Sequence, residues 1–85
     1  MAGPSLLRCP RPVRARLLST FSRLCRSELG KVPTSGHPCA VDRVWRLSGG
    51  RLGNALAGMQ RVVRQAAARG CRDLDLGVVA NRWGA

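Results

Sequence analysis

The chain has 85 residues, a net charge of +11 and a hydrophobic content of 45%, but alanine and cysteine supply 14 of those hydrophobic residues. Leucine, valine and phenylalanine total only 20 and isoleucine is absent, so we expect at most one small domain. The sequence therefore predicts a mostly α-helical, partly disordered chain. We expect one or two amphipathic helices, at most one short C-terminal strand and no convincing compact core.

The N-terminal segment 1–27 carries six arginines and no acidic residue. From position 13 its apolar side chains fall within an arc of about 160° when plotted at 100° per residue, which predicts a basic amphipathic helix. Its apolar positions are Val13, Leu17, Leu18, Phe21, Leu24, Cys25 and Leu29.

A basic, serine-containing and acid-free amphipathic segment is typical of a mitochondrial transit peptide. A processing motif of the arginine–hydrophobic–serine kind is formed by Arg16, Leu17, Leu18 and Ser19. The alternatives are an ordinary amphipathic helix that packs on a second helix, and a solvated arginine-rich tail. No apolar run suits a secretory signal or a transmembrane segment, so we expect a mitochondrial location, or otherwise a cytosolic or nuclear one.

The segment 28–50 contains Pro33, Pro38 and several glycines, and we expect a linker there. Arginines flank the tryptophan near its end, and Arg51 follows a glycine-rich turn whose free backbone N–H groups also suit an anion. Arginine beside tryptophan suits phosphate contact with base stacking, so this segment is a candidate for anion or nucleic-acid contact. The candidate contact residues are Arg43, Trp45, Arg46 and Arg51.

The segment 51–85 contains the clearest helical pattern, which predicts a helix over about 54–69 with Asn54 as N-cap and Gly70 after its C-terminal end. Gly58 lies inside it, at a cost of about 1 kcal/mol relative to alanine. The apolar stripe of this helix needs a partner, which the first helix, the short segment 41–47 or another protein could supply. The stripe comprises Leu52, Leu56, Met59, Val63, Ala66 and Ala67.

After this helix, residues 73–79 alternate between polar and apolar and then become apolar, which predicts a short strand. Asp73 and Asp75 would share one face of it as solvated charges. The four cysteines are widely spaced and contain no C-x-x-C pair, so we expect reduced structural thiols and no zinc site or other cofactor.

These features predict a small, basic, non-enzymatic protein that is directed to mitochondria and acts by contact with a protein partner or an anionic membrane surface. The alternative from a different class is a non-specific nucleic-acid-binding peptide. A third interpretation follows from composition, because alanine, glycine, arginine and proline fill 39 positions. That bias also fits an incidental open reading frame without a settled function.

Overall fold

The computed structural model describes residues 8–31, 33 and 38–83, and most of them are helical. Helix α1 spans Arg11–Leu29, α2 spans Pro38–Leu47, α3 spans Leu52–Ala68 and α4 spans Leu76–Asn81. Helix α1 packs along α3, and α2 packs along α4. Within the ranges described there is no β-strand.

Helix α1 confirms the predicted N-terminal amphipathic helix. Pro12 lies in its first turn, where the missing N–H has no intrahelical partner to lose. The helix ends at Gly30, whose φ of +69° is the left-handed conformation that glycine adopts readily. The Gly30 N–H donates to the Arg26 carbonyl at 3.1 Å. Its buried side chains recur every four residues and are Leu17, Phe21 and Cys25.

Helix α2 lies inside the segment 28–50, where we expected a linker. Prolines and glycines suggested a loop, but a proline at the first position of a helix is tolerated, and α2 begins at Pro38. The positions Val41, Val44 and Trp45 recur at helical spacing and are all buried. The segment is therefore helical over Pro38–Leu47.

Helix α3 confirms the second predicted helix, although it begins two residues earlier than expected. The N-cap is Arg51, without a side-chain bond, so the prediction that Asn54 caps the helix is wrong. Asn54 lies in the first turn instead, and its Nδ2 donates to the Ser48 carbonyl at 3.2 Å. Gly70, with a φ of +77°, follows the C-terminal end as predicted.

The predicted strand at 73–79 is also wrong, because helix α4 begins inside it. Asp75 is the N-cap of α4, and its Oδ1 accepts a hydrogen bond from the Val78 N–H at 2.9 Å. This bond satisfies one of the free N–H groups of the first turn, whereas a lone strand leaves its backbone unpaired. Leu76, Val79 and Ala80 then turn to the core at helical spacing.

A contiguous core joins all four helices, so the expectation of a partly disordered chain without a compact core is wrong for the part of the chain described. The radius of gyration of 12.2 Å matches the ~12 Å of a folded domain of this length. The small side chains of alanine and cysteine occupy core positions, which a count of large aliphatic residues misses. The buried apolar residues are Cys9, Leu17, Phe21, Cys25, Ala40, Val41, Val44, Trp45, Ala55, Met59, Val62, Val63, Ala66, Leu74, Leu76, Val79 and Ala80.

The interior glycine of α3 has a packing role. The ring of Trp83, which follows α4, packs directly on Gly58, and a Cβ at Gly58 would overlap with that ring. The Arg61 Nη2 donates to the Trp83 carbonyl oxygen at 2.5 Å and holds the same segment against α3. Trp83 is therefore a packed residue that closes the fold at its C-terminal end.

Candidate anion-binding surface

The Asp42 carboxylate on α2 accepts hydrogen bonds from residues at the beginning of α1 and just before it. Its Oδ1 accepts a hydrogen bond from the Cys9 N–H at 2.8 Å and from the Arg14 Nη2 at 3.1 Å. Both side chains of this ion pair are less than one third exposed. Burial raises the pKa of the neighbouring Cys9 thiol, with Arg14 opposing and Asp42 adding to that shift. The pair connects the first turn of α1 to α2.

Two further carboxylates are engaged near α4. The Lys31 Nζ donates to the Asp73 Oδ1 at 2.7 Å, and this hydrogen bond, with the charge of Lys31, lowers the pKa of Asp73. Asp75 caps α4 through Val78. Neither aspartate forms the charged strand face that the sequence suggested.

The arginines, by contrast, are largely left without carboxylate partners. All 15 basic residues and all four acidic residues lie in the ranges that the structure describes, and Arg14 is the only arginine there that forms an ion pair. Every arginine except Arg14 is exposed. The excess positive charge therefore lies at the surface, where an anion can reach it.

The positive charge is most uniform on the surface of α3. Helix α3 contains no acidic residue, and its arginines Arg61 and Arg64 are exposed, as is Arg69 immediately after it. Arg61, Gln65 and Arg69 are spaced by four residues, so they follow one side of the helix over a rise of about 12 Å.

A cleft of about 190 Å³ opens beside this row, between the second half of α3 and the end of α4. Val62 forms its buried apolar wall, while Gln65 and Arg69 line it from α3. Arg82, the residue that follows α4, lines it from the other side. Among the described residues no carboxylate lines the cleft, so Arg69 and Arg82 line one volume from the ends of two helices without an acidic side chain beside them.

Of the predicted anion contacts on α2 and at the start of α3, the arginines are exposed but the tryptophan is not. Trp45 is 8% exposed and lies in the core, because it shares a helical face with Val41 and Val44. Its ring is therefore covered and cannot stack on a base. Arg43, Arg46 and Arg51 are exposed, and the Arg43 Nη2 donates to the Asn81 Oδ1 at 2.8 Å.

The predicted docking stripe of α3 is covered by the chain itself. Met59, Val63 and Ala66 are at most 1% exposed, within the core that α1 and α3 share. The other members are partly buried, with Leu52 and Leu56 packed against that core and Ala67 half-buried. In this conformation the stripe offers no free apolar face.

The predicted processing motif lies within α1. Leu17 is 1% exposed and packs in the core, whereas the other three residues of the motif are exposed. The exposed members are Arg16, Leu18 and Ser19. A cut after Leu18 would therefore remove one of the three core residues of α1.

The cleft residues Gln65, Arg69 and Arg82 were not among the predicted site residues. The four-residue spacing of Arg61, Gln65 and Arg69 is visible in the sequence. Arg82 is 13 positions further on and reaches the cleft only because α4 folds back beside α3.

Cysteines and candidate metal ligands give no second site. Cys9 and Cys25 are buried, Cys71 is half-buried and Cys39 is exposed, and all four are free thiols. Among the residues that the structure describes, no three histidine, cysteine, aspartate or glutamate side chains are grouped closely enough to hold a metal ion. Of the helices described, none is long and apolar enough to cross a membrane.

Comparison with known proteins adds no family to this description. No protein-family model, curated protein or solved structure matches the chain.

Proposed function

We propose that the chain is a binding protein rather than an enzyme, and that it binds nucleic acid through backbone phosphates without reading base sequence. The observation that carries this proposal is the set of exposed arginines along α3 and just after it, Arg61, Arg64 and Arg69, none of which forms an ion pair with a described residue. Guanidinium groups bind phosphate oxygens in a two-pronged geometry, and this contact carries no sequence information. The composition supports it further, since 14 of the 15 basic residues are arginine.

A nucleic acid fits this surface better than a membrane does. Binding of an amphipathic helix in a lipid interface needs an exposed apolar face, and the apolar faces of α1 and α3 are packed against each other. In the described part of the chain the exposed large hydrophobic residues are Leu18 and Leu47, on two different helices. The burial of Trp45 favours phosphate contact over base stacking.

The proposal is tested by measuring the affinity for a fluorescently labelled single-stranded oligonucleotide across a salt series. If about four phosphates are contacted, the affinity falls roughly 50-fold between about 50 and 200 mM salt, with a linear double-logarithmic plot. An affinity that does not change with salt overturns the proposal. Neutral phosphatidylcholine vesicles serve as the competitor, and displacement of the oligonucleotide by them would show that apolar contact is the stronger interaction.

A second candidate is the mitochondrial contact protein, which one observation on α1 favours. Its outward face carries Arg16, Arg23 and Arg26, all exposed, and no acidic residue precedes Glu28. Because Leu17 and Phe21 belong to the core, this candidate requires that the chain enter mitochondria without removal of α1. Contact with a partner would then use the arginine face, since the apolar stripe of α3 is covered.

A C-terminal fluorescent fusion and the intact mass of the recovered chain test this candidate. It predicts a protease-protected mitochondrial species that retains α1. A diffuse cytosolic signal would exclude it, and a chain that begins near Ser19 or Cys25 would show that the core of α1 is dispensable.

A further inference from the structure

The cleft between α3 and α4 differs from the rest of the basic surface because two arginines line the same open cleft. Arg69 and Arg82 line it from two helices, and Gln65 adds an amide. Like charges that line one cleft repel each other, and an anion between them removes that repulsion.

The donors in the cleft are available. Among the hydrogen bonds of the described residues, the guanidinium groups of Arg69 and Arg82 donate none, whereas Arg14, Arg43 and Arg61 each donate one. Both residues follow the last residue of a helix, so their two guanidinium charges have to outweigh the negative ends of the helix dipoles when they hold an anion. The backbone N–H groups of Arg69 and Arg82 already donate to several of the terminal carbonyls, which leaves the side chains free for another acceptor.

The size and lining of the cleft indicate the class of ligand. Its volume of about 190 Å³ is several times the ~30 Å³ of one water molecule, so a tetrahedral anion fits with water around it. The apolar wall at Val62 excludes water from one side and strengthens the charge interaction there. None of the described residues that line the cleft is a carboxylate, which disfavours metal ions and cationic ligands.

We infer that this cleft is a phosphate site, which holds one phosphodiester of a bound nucleic-acid backbone between Arg69 and Arg82. The inference rests on the proposed nucleic-acid binding and names the cleft as the place where one backbone phosphate binds. Arg61 lies two helical turns before Arg69 on the same side of α3, in a position to contact a neighbouring phosphate.

The test compares two double variants that have the same net charge. Arg69→Gln with Arg82→Gln removes both guanidinium groups of the cleft, and Arg16→Gln with Arg23→Gln removes two exposed arginines from α1. We expect the cleft variant to lower the magnitude of the slope of log affinity against log salt by about 0.7, the change for one phosphate contact on a single strand, and the α1 variant to change it much less. Matching circular dichroism spectra and thermal midpoints show that both variants are folded.

Each outcome separates this inference from the proposed function. Equal losses in the two variants would overturn the phosphate site and leave diffuse electrostatic binding in place. Salt-independent binding by the unaltered chain would overturn the proposed function itself. A conservative pair, Arg69→Lys with Arg82→Lys, should restore most of the slope but not the full affinity, because lysine keeps the charge and loses the two-pronged geometry.

The source of the phosphate is tested by NMR. The side-chain Nε–H signals of Arg69 and Arg82 should shift on addition of the oligonucleotide, while those of Arg16 and Arg23 stay nearly constant. Inorganic phosphate is the second probe. If it shifts the same signals and reaches saturation at lower concentration than the oligonucleotide, the site binds free phosphate and the assignment to a backbone phosphodiester is wrong.

Discussion

The contact between Gly58 and Trp83 can be measured as a coupling between two substitutions. In the middle of a helix, glycine is about 1 kcal/mol less favourable than alanine. Gly58→Ala should therefore stabilise the chain by about 1 kcal/mol when Trp83→Ala has already removed the ring. With Trp83 present, the new Cβ meets the ring and displaces it. Losing the packing of a half-buried tryptophan costs about 2 kcal/mol, so we expect a net destabilisation of about 1 kcal/mol.

Urea unfolding of the four chains in this cycle gives the coupling energy directly, with an expected value of about 2 kcal/mol. Gly53→Ala is the matched control, because a Cβ there meets no atom within 4 Å. It should stabilise α3 by up to about 1 kcal/mol in both backgrounds. If Gly58→Ala stabilises the chain equally with and without the Trp83 ring, the packing of that ring on α3 is refuted.

Three further predictions concern the elements that position the cleft and the core. Asp75→Ala should destabilise the chain by about 1 kcal/mol through loss of the α4 cap, and Asp75→Asn should not, as measured by urea unfolding. Leu17→Ala should cost about 2 to 5 kcal/mol by the same assay, whereas Leu18→Ala, at a position 40% exposed, should cost much less. Burial raises the pKa of the Cys25 thiol from 9.0 to about 11, so the neutral thiol contributes stability that is complete below the lower value and lost as the pH rises through the higher one. Cys25→Ala should flatten the fall in unfolding free energy across that alkaline window, and an unchanged pH dependence would contradict the assignment.

Helices α1 and α3 were predictable because each carries a long apolar repeat and is followed within two residues by a glycine in the left-handed conformation. Helices α2 and α4 have ten and six residues, too few for the repeat to outweigh nearby prolines, glycines and β-branched residues. For α4 the deciding interaction is local, because the Asp75 carboxylate caps the first turn. Its capping role could have been read from the sequence, but residues 73–79 also alternate as a strand does.

The sequence by itself determined the charge of this protein and the helices that carry most of it. An excess of 11 positive charges over 85 residues leaves most arginines without acidic partners in any fold, and the spacing on α3 aligns Arg61, Gln65 and Arg69. Only the tertiary structure decided which apolar faces are covered and which arginines meet. The pairing of α1 with α3 buried the stripe that looked free, and the return of α4 beside α3 brought Arg82 to Arg69. Contacts of this kind depend on how helices pack, because side chains far apart in sequence become neighbours only when the core between them forms.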